Sequence, residues 1–251
     1  MWHRVIVGAV FGVVSLPLAA CGGSSGGGST GTSTAAQSTS SSTTAGTGGE
    51  ETFSNPTEIN NAYLPITKFH TCVLAGNDQG QQLRIVRTLQ SRTQPFTFGG
   101  QTVDAAVVTD RVTDVGAGQV IERTIDYFAQ DDAGIVYYFG EDVNEYKNGK
   151  LTSHEGQWRL GRDTQTPGVL MPANPKVGDT FQSEDVKGVT HETDTVISSG
   201  KTARIAGHTY HNVIKVRENA KPPPEIEFKQ YARGTGVITE ANGGVHLVGC
   251  R

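Results

Sequence analysis

The chain has 251 residues, of which 35% are hydrophobic, and its 21 basic and 25 acidic side chains give a net charge of −4. Charges of both signs are mixed along the sequence and form no basic block. This distribution excludes the electrostatic surface with which proteins hold nucleic acid, and also the polybasic patch that attracts anionic lipid headgroups. We therefore expect no nucleic-acid partner.

The first twenty residues have the layout of a secretory signal peptide. A short positive start containing Arg4 is followed by an apolar run from Val5 to Ala20, and small residues precede Cys21. This layout resembles the bacterial lipoprotein signal, in which the cysteine becomes the lipid-modified first residue of the mature protein. The apolar run is shorter than the roughly 20 residues that span a bilayer as a helix, so an uncleaved anchor is the weaker alternative. We predict a signal peptide at residues 1–20, a diacylglycerol and an acyl chain such as palmitate on Cys21, and a location on the extracytoplasmic face of the cell membrane.

Residues 21–50 separate this cysteine from the rest of the chain. From Gly22 to Gly49 the segment consists almost entirely of Gly, Ser and Thr, and it has no charged or aromatic residue. Such a segment buries too little apolar area to offset its chain entropy, so we predict a disordered tether spanning about 30 Å. A glycosylated stalk is the alternative. Residues 51–251 then form a single β-rich domain, which we expect to be a monomer.

Two cysteines remain once Cys21 is assigned to lipid. Cys72 and Cys250 each lie in a strand-like run near one end of the domain. An oxidising exterior favours a disulfide between them, and a disulfide requires Cα atoms within about 7 Å. We therefore predict that the first and last strands of the domain are neighbours. Two unpaired, buried thiols are the alternative.

Period-two alternation dominates the domain and predicts an all-β fold. Ile121–Ala129 carries Ile121, Ile125 and Tyr127 on one face and acidic and Thr side chains on the other. Glu225–Arg233 likewise alternates apolar with charged side chains. Strands of this kind belong to antiparallel sheets that are buried on one face and solvated on the other. We expect the charged faces to point to solvent.

Turn sequences separate the strands, and Asn148-Gly149 is the sharpest of them. An Asn-Gly pair predicts a type I′ hairpin, here between Glu141–Lys147 and Lys150–Trp158. In all, about ten to twelve strands are expected, joined mostly by hairpins. If the disulfide brings the ends together, this antiparallel meander curls into a barrel or a strongly curved half-barrel. A two-sheet β-sandwich is the alternative.

Gly161–Gly178 interrupts the alternation and contains three prolines. It predicts a long surface loop, a kind of segment that is often functional. Met171 is an apolar residue within this segment. Its side chain either packs inward or contacts a ligand.

Five strings spread over most of the domain carry a resemblance to a known group. They are Tyr127–Gln130, Tyr137–Asp142, Pro167–Ala173, Val177–Phe181 and Tyr231–Ile238. The strings are similar to those of uncharacterised secreted bacterial proteins and lipoproteins with a β-rich domain, and the tract after the lipid cysteine resembles that of actinobacterial lipoproteins. The resemblance implies the fold class and the secreted location. It implies no activity.

No catalytic motif is present. The sequence lacks Gly-x-Ser-x-Gly, His-Glu-x-x-His and Cys-x-x-Cys. Gly200-Lys201-Thr202 imitates the end of a phosphate loop, but the glycine that this loop needs five residues earlier is Thr195. We predict no cofactor, no metal site and no catalytic residue of these classes.

The hairpin around Asn148-Gly149 is the best candidate for a ligand site. If its pairing runs without interruption from Lys147 opposite Lys150, Trp158 lies near Gly140 and Phe139. Carboxylates, a histidine and an indole then share one patch, which can bind a ligand or support general acid/base chemistry on a sugar. A solvated hairpin with a packed Trp is the simpler interpretation. The candidate ligand-binding residues are Glu141, Glu145, His154, Glu155, Trp158 and Met171.

Three functions follow from these features. The first is a non-enzymatic, membrane-anchored module that binds a small or apolar ligand of the cell envelope. The second is an interaction or structural protein of the envelope without a ligand pocket. The third is an envelope hydrolase that uses the acidic hairpin. We rank them in that order.

Overall fold

The structure, a computed structural model, describes residues 51–221 and 224–251. The predicted signal peptide, the lipid on Cys21 and the tether lie outside the described residues. The described chain forms strands and two short 3₁₀ helices, Ile66–Lys68 and Ala241–Gly243, so the all-β prediction is confirmed. The strands are β1 (Thr71–Asp78), β2 (Gln81–Phe98), β3 (Gln101–Asp114), β4 (Gln119–Gln130), β5 (Val136–Lys147), β6 (Lys150–Ser153), β7 (Trp158–Arg159), β8 (Gly168–Met171), β9 (Thr180–Val186), β10 (Thr190–Ile205), β11 (His208–Lys221), β12 (Glu225–Ala232), β13 (Gly236–Glu240) and β14 (Val245–Cys250).

All of these strands belong to one antiparallel sheet. Its order is β6-β5-β4-β3-β2-β1-β14-β13-β12-β11-β10-β9, with β7 and β8 both paired to β5. Strands that follow each other in sequence are neighbours almost throughout, as expected for a hairpin meander. The first and last strands, β1 and β14, are also neighbours. A disulfide joins Cys72 to Cys250 across their ladder, where the two Cα atoms are 4.1 Å apart, so this prediction is confirmed.

The two ends of the sheet approach each other. Strand β8 at one end packs so closely on β9 at the other that a Cβ atom added to Gly168 would lie 1.8 Å from the Ser183 carbonyl oxygen. The indole N–H of Trp158 in β7 donates to Glu184 in β9 at 3.3 Å. Within the described residues no ladder joins β8 to β9. The sheet is therefore a single curved sheet that is not closed, which fits a half-barrel and differs from a two-sheet sandwich.

Apolar clusters lie on both faces of the sheet. The larger cluster gathers side chains from strands on both sides of the β1–β14 ladder, which places it on the face around which the sheet curves, called the inner face here. Its members include Leu74, Ile85, Val112, Phe128, Val216 and Leu247. The smaller cluster lies on the outer face of β3, β4 and β5. There Phe96 packs on Tyr127 and on Phe139 with ring centroids 5.3 Å apart, and Phe53 covers them from the segment before β1.

The charged faces of two strands point inward, contrary to our expectation. Asp126 of β4 and Lys229 of β12 are buried on the inner face, whereas Ile226 of β12 is 52% exposed. Alternation shows that the two faces of a strand differ but does not show which face is buried. The burial of Asp126 is compensated, because its carboxylate accepts hydrogen bonds from the Tyr138 hydroxyl at 2.7 Å and the Thr124 hydroxyl at 3.0 Å.

The predicted Asn148-Gly149 turn is present. Asn148 and Gly149 have φ values of 52° and 72°, and a type I′ turn requires positive φ at both central positions. Lys147 pairs with Lys150, as predicted. The hairpin between β5 and β6 is therefore confirmed where it begins.

Further from the turn, the predicted pairing of this hairpin is wrong. A register shift follows Glu145, and residues 154–157 make a second turn in which the Gln157 N–H donates to the His154 carbonyl at 3.3 Å. Trp158 consequently pairs with Glu141, two residues away from the Phe139 that uninterrupted pairing would place opposite it, although it still lies beside Gly140. A bulge and an extra turn shift every later pairing, and neither has a clear signal in the sequence.

The predicted loop at Gly161–Gly178 contains a strand. Residues of β8 pair with β5, with Met171 opposite Val136 and Gly168 opposite Tyr138. Met171 is fully buried, so its side chain packs inward. A four-residue strand is too short to show a period of two, which is why the sequence did not predict it.

Candidate functional site on the inner face of the sheet

Ionisable side chains line much of the inner face. Directly opposed residues of neighbouring strands share a face, and such pairs include Asp126 with Glu141 and Asp194 with Glu218. The buried carboxylates of this face are Asp110, Glu122, Asp126, Glu141, Glu184, Glu192, Asp194, Glu218 and Glu240, and the buried cations are Arg87 and Lys229. Because burying a charge is costly unless it is paired, the partners of these groups decide what the face can do.

Arg87 of β2 connects the two halves of the sheet on this face. Its Nε donates to Asp110 of β3 at 2.8 Å, and its guanidinium also donates to Glu240 of β13 at 3.2 Å. Burial alone would lower the pKa of Arg87, but the carboxylates of Asp110 and Glu240 raise it. The guanidinium therefore stays charged, and its role is to hold neighbouring carboxylates in place.

A second group lies on β10, β11 and β12, and we call it the acidic cluster: Glu192, Asp194, Glu218, Glu227 and Lys229. Asp194 is opposite Glu218 in one ladder, and Glu218 is opposite Glu227 in the next. The Lys229 ammonium lies 2.8 Å from the Glu218 carboxylate. Asp194 is only 2% exposed, and its Oδ1 atom has no hydrogen-bond partner. The cluster therefore holds several carboxylates around one ammonium.

The acidic cluster has strongly shifted pKa values. Burial raises the pKa of Glu218 to about 8 and that of Glu227 to about 7, although Lys229 acts in the opposite direction on both. Burial and the neighbouring Glu192 and Glu218 raise the pKa of Asp194 well above its usual range. Burial would lower the pKa of Lys229, but Glu218 and Glu227 raise it. Near neutral pH the cluster therefore retains protons that ordinary carboxylates would have lost.

Trp158 and Glu184 connect the two ends of the sheet beside this cluster. Glu184 of β9 accepts from the Trp158 indole at 3.3 Å and from the Thr190 hydroxyl at 2.6 Å. The Trp158 ring packs edge-on against Tyr138, with centroids 5.4 Å apart. Both rings are fully buried. This contact places an aromatic wall next to the carboxylates of the inner face.

An apolar pocket, called the end pocket here, lies between the 3₁₀ helix Ile66–Lys68 and the disulfide. Its cavity volume is about 40 Å³, which holds a few water molecules. Arg87 is part of its lining, and the apolar side chains around it include Leu64, Phe69, Leu74, Leu89, Val237 and Leu247. The segment from Leu64 to Phe69 forms one wall of this pocket.

The structure separates the residues of the predicted hairpin site. Glu141, Trp158 and Met171 are buried, and the first two are opposite each other on the inner face. Glu155 is exposed. The His154 ring nitrogen Nδ1 lies 2.6 Å from the Val143 carbonyl oxygen, so that nitrogen is engaged by the backbone.

Glu145 is the remaining member of the predicted site. It is partly buried opposite Glu122. Burial and the Glu122 carboxylate raise its pKa. Glu141, Glu145, Trp158 and Met171 thus lie on the inner face, whereas Glu155 is exposed.

The acidic cluster was missed from the sequence. Its members come from three strands that are up to 37 residues apart, counted from Glu192 to Lys229. The sequence does show that charged side chains recur at every second position, with Glu192 and Asp194 on one face of their strand and Glu227 and Lys229 on one face of theirs. Only the cross-strand register shows that these faces are the same one.

Within the described residues, no group of three or more His, Cys, Asp or Glu side chains is placed to hold a metal ion. The same residues contain no helix that is both long enough and apolar enough to cross a membrane. Comparisons with family models, with curated proteins and with solved structures find no match to this chain.

Proposed function

We propose that this chain is a lipid-anchored binding protein on the extracytoplasmic face of the cell membrane, and that its β-rich domain takes a small or apolar ligand of the envelope. The location is supported by the lipoprotein-like residues 1–20, by Cys21 and by the tether. The disulfide between Cys72 and Cys250 supports it independently, because such bonds persist in oxidising compartments.

The observation that carries the binding function is the inner face with its end pocket. The pocket presents apolar side chains from the segment before β1 and from the sheet, and Arg87 links it to the buried carboxylates beyond. Apolar walls with a few placed polar groups are the usual lining of small-molecule sites. An envelope protein that acts only through its outer surface, without a ligand, is the alternative.

The hydrolase hypothesis has less support. A carboxylate pair that performs acid/base chemistry must flank a bound substrate. Glu141 is buried on the inner face, whereas Glu155 is exposed and its backbone N–H donates to the Ser153 hydroxyl at 2.8 Å. Glu155 therefore lies apart from Glu141, and the hairpin does not present these two carboxylates together.

Native mass spectrometry of the protein purified from its own host tests the binding function. We expect a small molecule to remain bound to the domain. Ile66→Glu, which puts a charge into the end-pocket lining at a partly buried position, should remove this adduct. Ile226→Glu makes the same change at an exposed position and should retain it. If the wild-type protein carries no adduct, or if both variants keep it, the end pocket is not the binding site.

Membrane fractionation tests the anchor. Cys21→Ala removes the thiol that the lipid would modify, so the protein should leave the membrane fraction or remain unprocessed. Ser24→Ala, three residues further on, should change neither outcome. A processed Cys21→Ala protein that still sediments with membranes would show that attachment does not depend on lipid at this residue.

A further inference from the structure

We propose that the acidic cluster is the binding site for an ammonium group, so that the ligand of the inner face is a small aliphatic amine. This inference rests on the proposed function, because it names the chemical class of ligand for the same face.

The charge of the cluster favours a cation. Four of its five members are carboxylates, and Lys229 is the one cation among them. The 2.8 Å contact between Lys229 and Glu218 shows that the arrangement already accommodates one ammonium group. A second ammonium group would balance charge that is otherwise neutralised by protons.

Asp194 supplies the buried acceptor. Its side chain lies on the inner face opposite Glu218, it is 2% exposed, and its Oδ1 atom has no hydrogen-bond partner. A buried acceptor without a donor is costly, and native structures usually satisfy such atoms. An ammonium group brings three N–H donors, which could reach Asp194 and the carboxylates beside it.

The neighbouring side chains favour an aliphatic body on the ligand. Val196 follows Asp194 by two residues, and Val216 precedes Glu218 by two, so both lie on the inner face beside the cluster. Both valines are buried and directly opposite each other. The cross-strand spacing of about 4.5–5.5 Å between Cβ atoms lets an ammonium group bridge opposed carboxylates, whereas Ca²⁺ needs six to eight oxygens at about 2.3–2.6 Å.

Binding of an ammonium should displace protons from the cluster. The titratable and charged groups around Glu218 come from β9 to β13: Glu184, Glu192, Asp194, Glu227, Lys229, Tyr231 and Glu240. Glu218 and Glu227 have pKa values of about 8 and about 7, so both are largely protonated at pH 6. At pH 8 Glu218 is about half ionised and Glu227 is largely ionised. An alkylammonium, like Lys with its pKa of about 10.4, keeps its charge over this range. Affinity should therefore rise with pH.

Isothermal titration calorimetry of the full chain with three six-carbon probes tests the proposal. Hexylamine, hexanol and hexanoate have similar chains and differ in the charge of the headgroup. We expect hexylamine to bind best, roughly tenfold or more tighter at pH 8 than at pH 6. Proton release should appear as a binding enthalpy that depends on the ionisation enthalpy of the buffer.

A matched pair of variants locates the site. Asp194→Asn keeps the shape of the side chain and removes its charge, and it should weaken hexylamine binding by roughly 10- to 100-fold. Asp185→Asn makes the same change at a side chain that is 67% exposed, and it should leave binding unchanged. If Asp194→Asn does not fold, proton release and pH dependence in the wild-type protein decide the question.

Each other outcome overturns the proposal in a recognisable way. Equal binding of hexylamine and hexanol would be consistent with an apolar ligand for the domain but would refute the ammonium site. If the protein binds Ca²⁺ tightly but does not bind hexylamine, and Asp194→Asn abolishes the Ca²⁺ binding, the cluster is a metal site and the ammonium proposal is refuted. Absence of hexylamine binding would refute the inference, while the adduct from the native host decides the binding function separately.

Discussion

The disulfide between Cys72 and Cys250 should contribute a large part of the stability of the domain. The perturbation is the double substitution Cys72→Ser and Cys250→Ser, which removes the cross-link without leaving a free thiol at either position. In the folded state the two residues are opposite each other in the β1–β14 ladder, and that ladder joins the two halves of the sheet. The backbone pairing remains after the substitution, so the main effect falls on the unfolded chain.

The size of the effect follows from the length of the closed loop. The sequence separation of the two cysteines is 178 residues. The chain-entropy relation for a loop of this length gives a loss of about 5 kcal/mol at room temperature. Domains unfold with a total of about 5–15 kcal/mol, so this loss is at least a third of it. With a urea dependence of about 2–3 kcal/mol/M, the midpoint should fall by roughly 2 M.

Urea unfolding followed by far-UV circular dichroism measures this loss. Wild-type protein reduced with dithiothreitol is the matched control, because it lacks the same cross-link and keeps both sulfurs. The reduced wild type and the double variant should unfold at similar midpoints. A loss below about 1 kcal/mol in both would refute the reasoning, since it would mean that the unfolded chain keeps its ends together without the bond.

Two further predictions concern the contact between the sheet ends and the acidic cluster. Gly168→Ala should lower the thermal midpoint of unfolding strongly, because the added Cβ would overlap the Ser183 carbonyl oxygen. Gly249→Ala, which has open space around the added carbon, should change the midpoint little. Equal effects of the two substitutions would contradict the close packing of β8 on β9. Stability should fall as pH rises from about 5 to 8, because Glu218 and Glu227, with pKa values of about 8 and about 7, bind protons in the folded state that the unfolded chain has released. Urea unfolding at three pH values measures how the free energy of unfolding changes with pH, and Glu218→Gln should make this change smaller. A free energy of unfolding that rises with pH would show that the cluster is not protonated in the folded state.

Features that depend on local chemistry could be predicted from the sequence. The Asn148-Gly149 turn depends on two residues that tolerate positive φ, and the structure shows both in that region. The pairing of Cys72 with Cys250 depends on counting thiols and on the requirement that bonded cysteines lie close together. The disulfide predicted that the first and last strands are neighbours, and the hairpin turns combined with it predicted a curved, antiparallel sheet.

Features that depend on cross-strand register could not be predicted from the sequence. Trp158 meets Glu141 because a bulge and a second turn shift the hairpin, and neither leaves a period in the sequence. The direction of the charged faces depends on partners such as the Tyr138 hydroxyl that satisfies Asp126. Those partners lie on other strands, so alternation within one strand carries no information about them.

The inward charged faces are also the strongest argument that the domain binds something. Replacing buried ion pairs with well-packed apolar side chains is often neutral or stabilising, so the acidic cluster is a costly way to fill an interior. The unpartnered Oδ1 of Asp194 adds to that cost, and the raised pKa of Glu218 makes the folded state less stable as pH rises. Natural proteins retain such costs mainly at functional sites. A ligand with an ammonium group would remove both penalties at once, and bound protein should therefore lose the decrease in stability between pH 5 and 8 that the free protein shows.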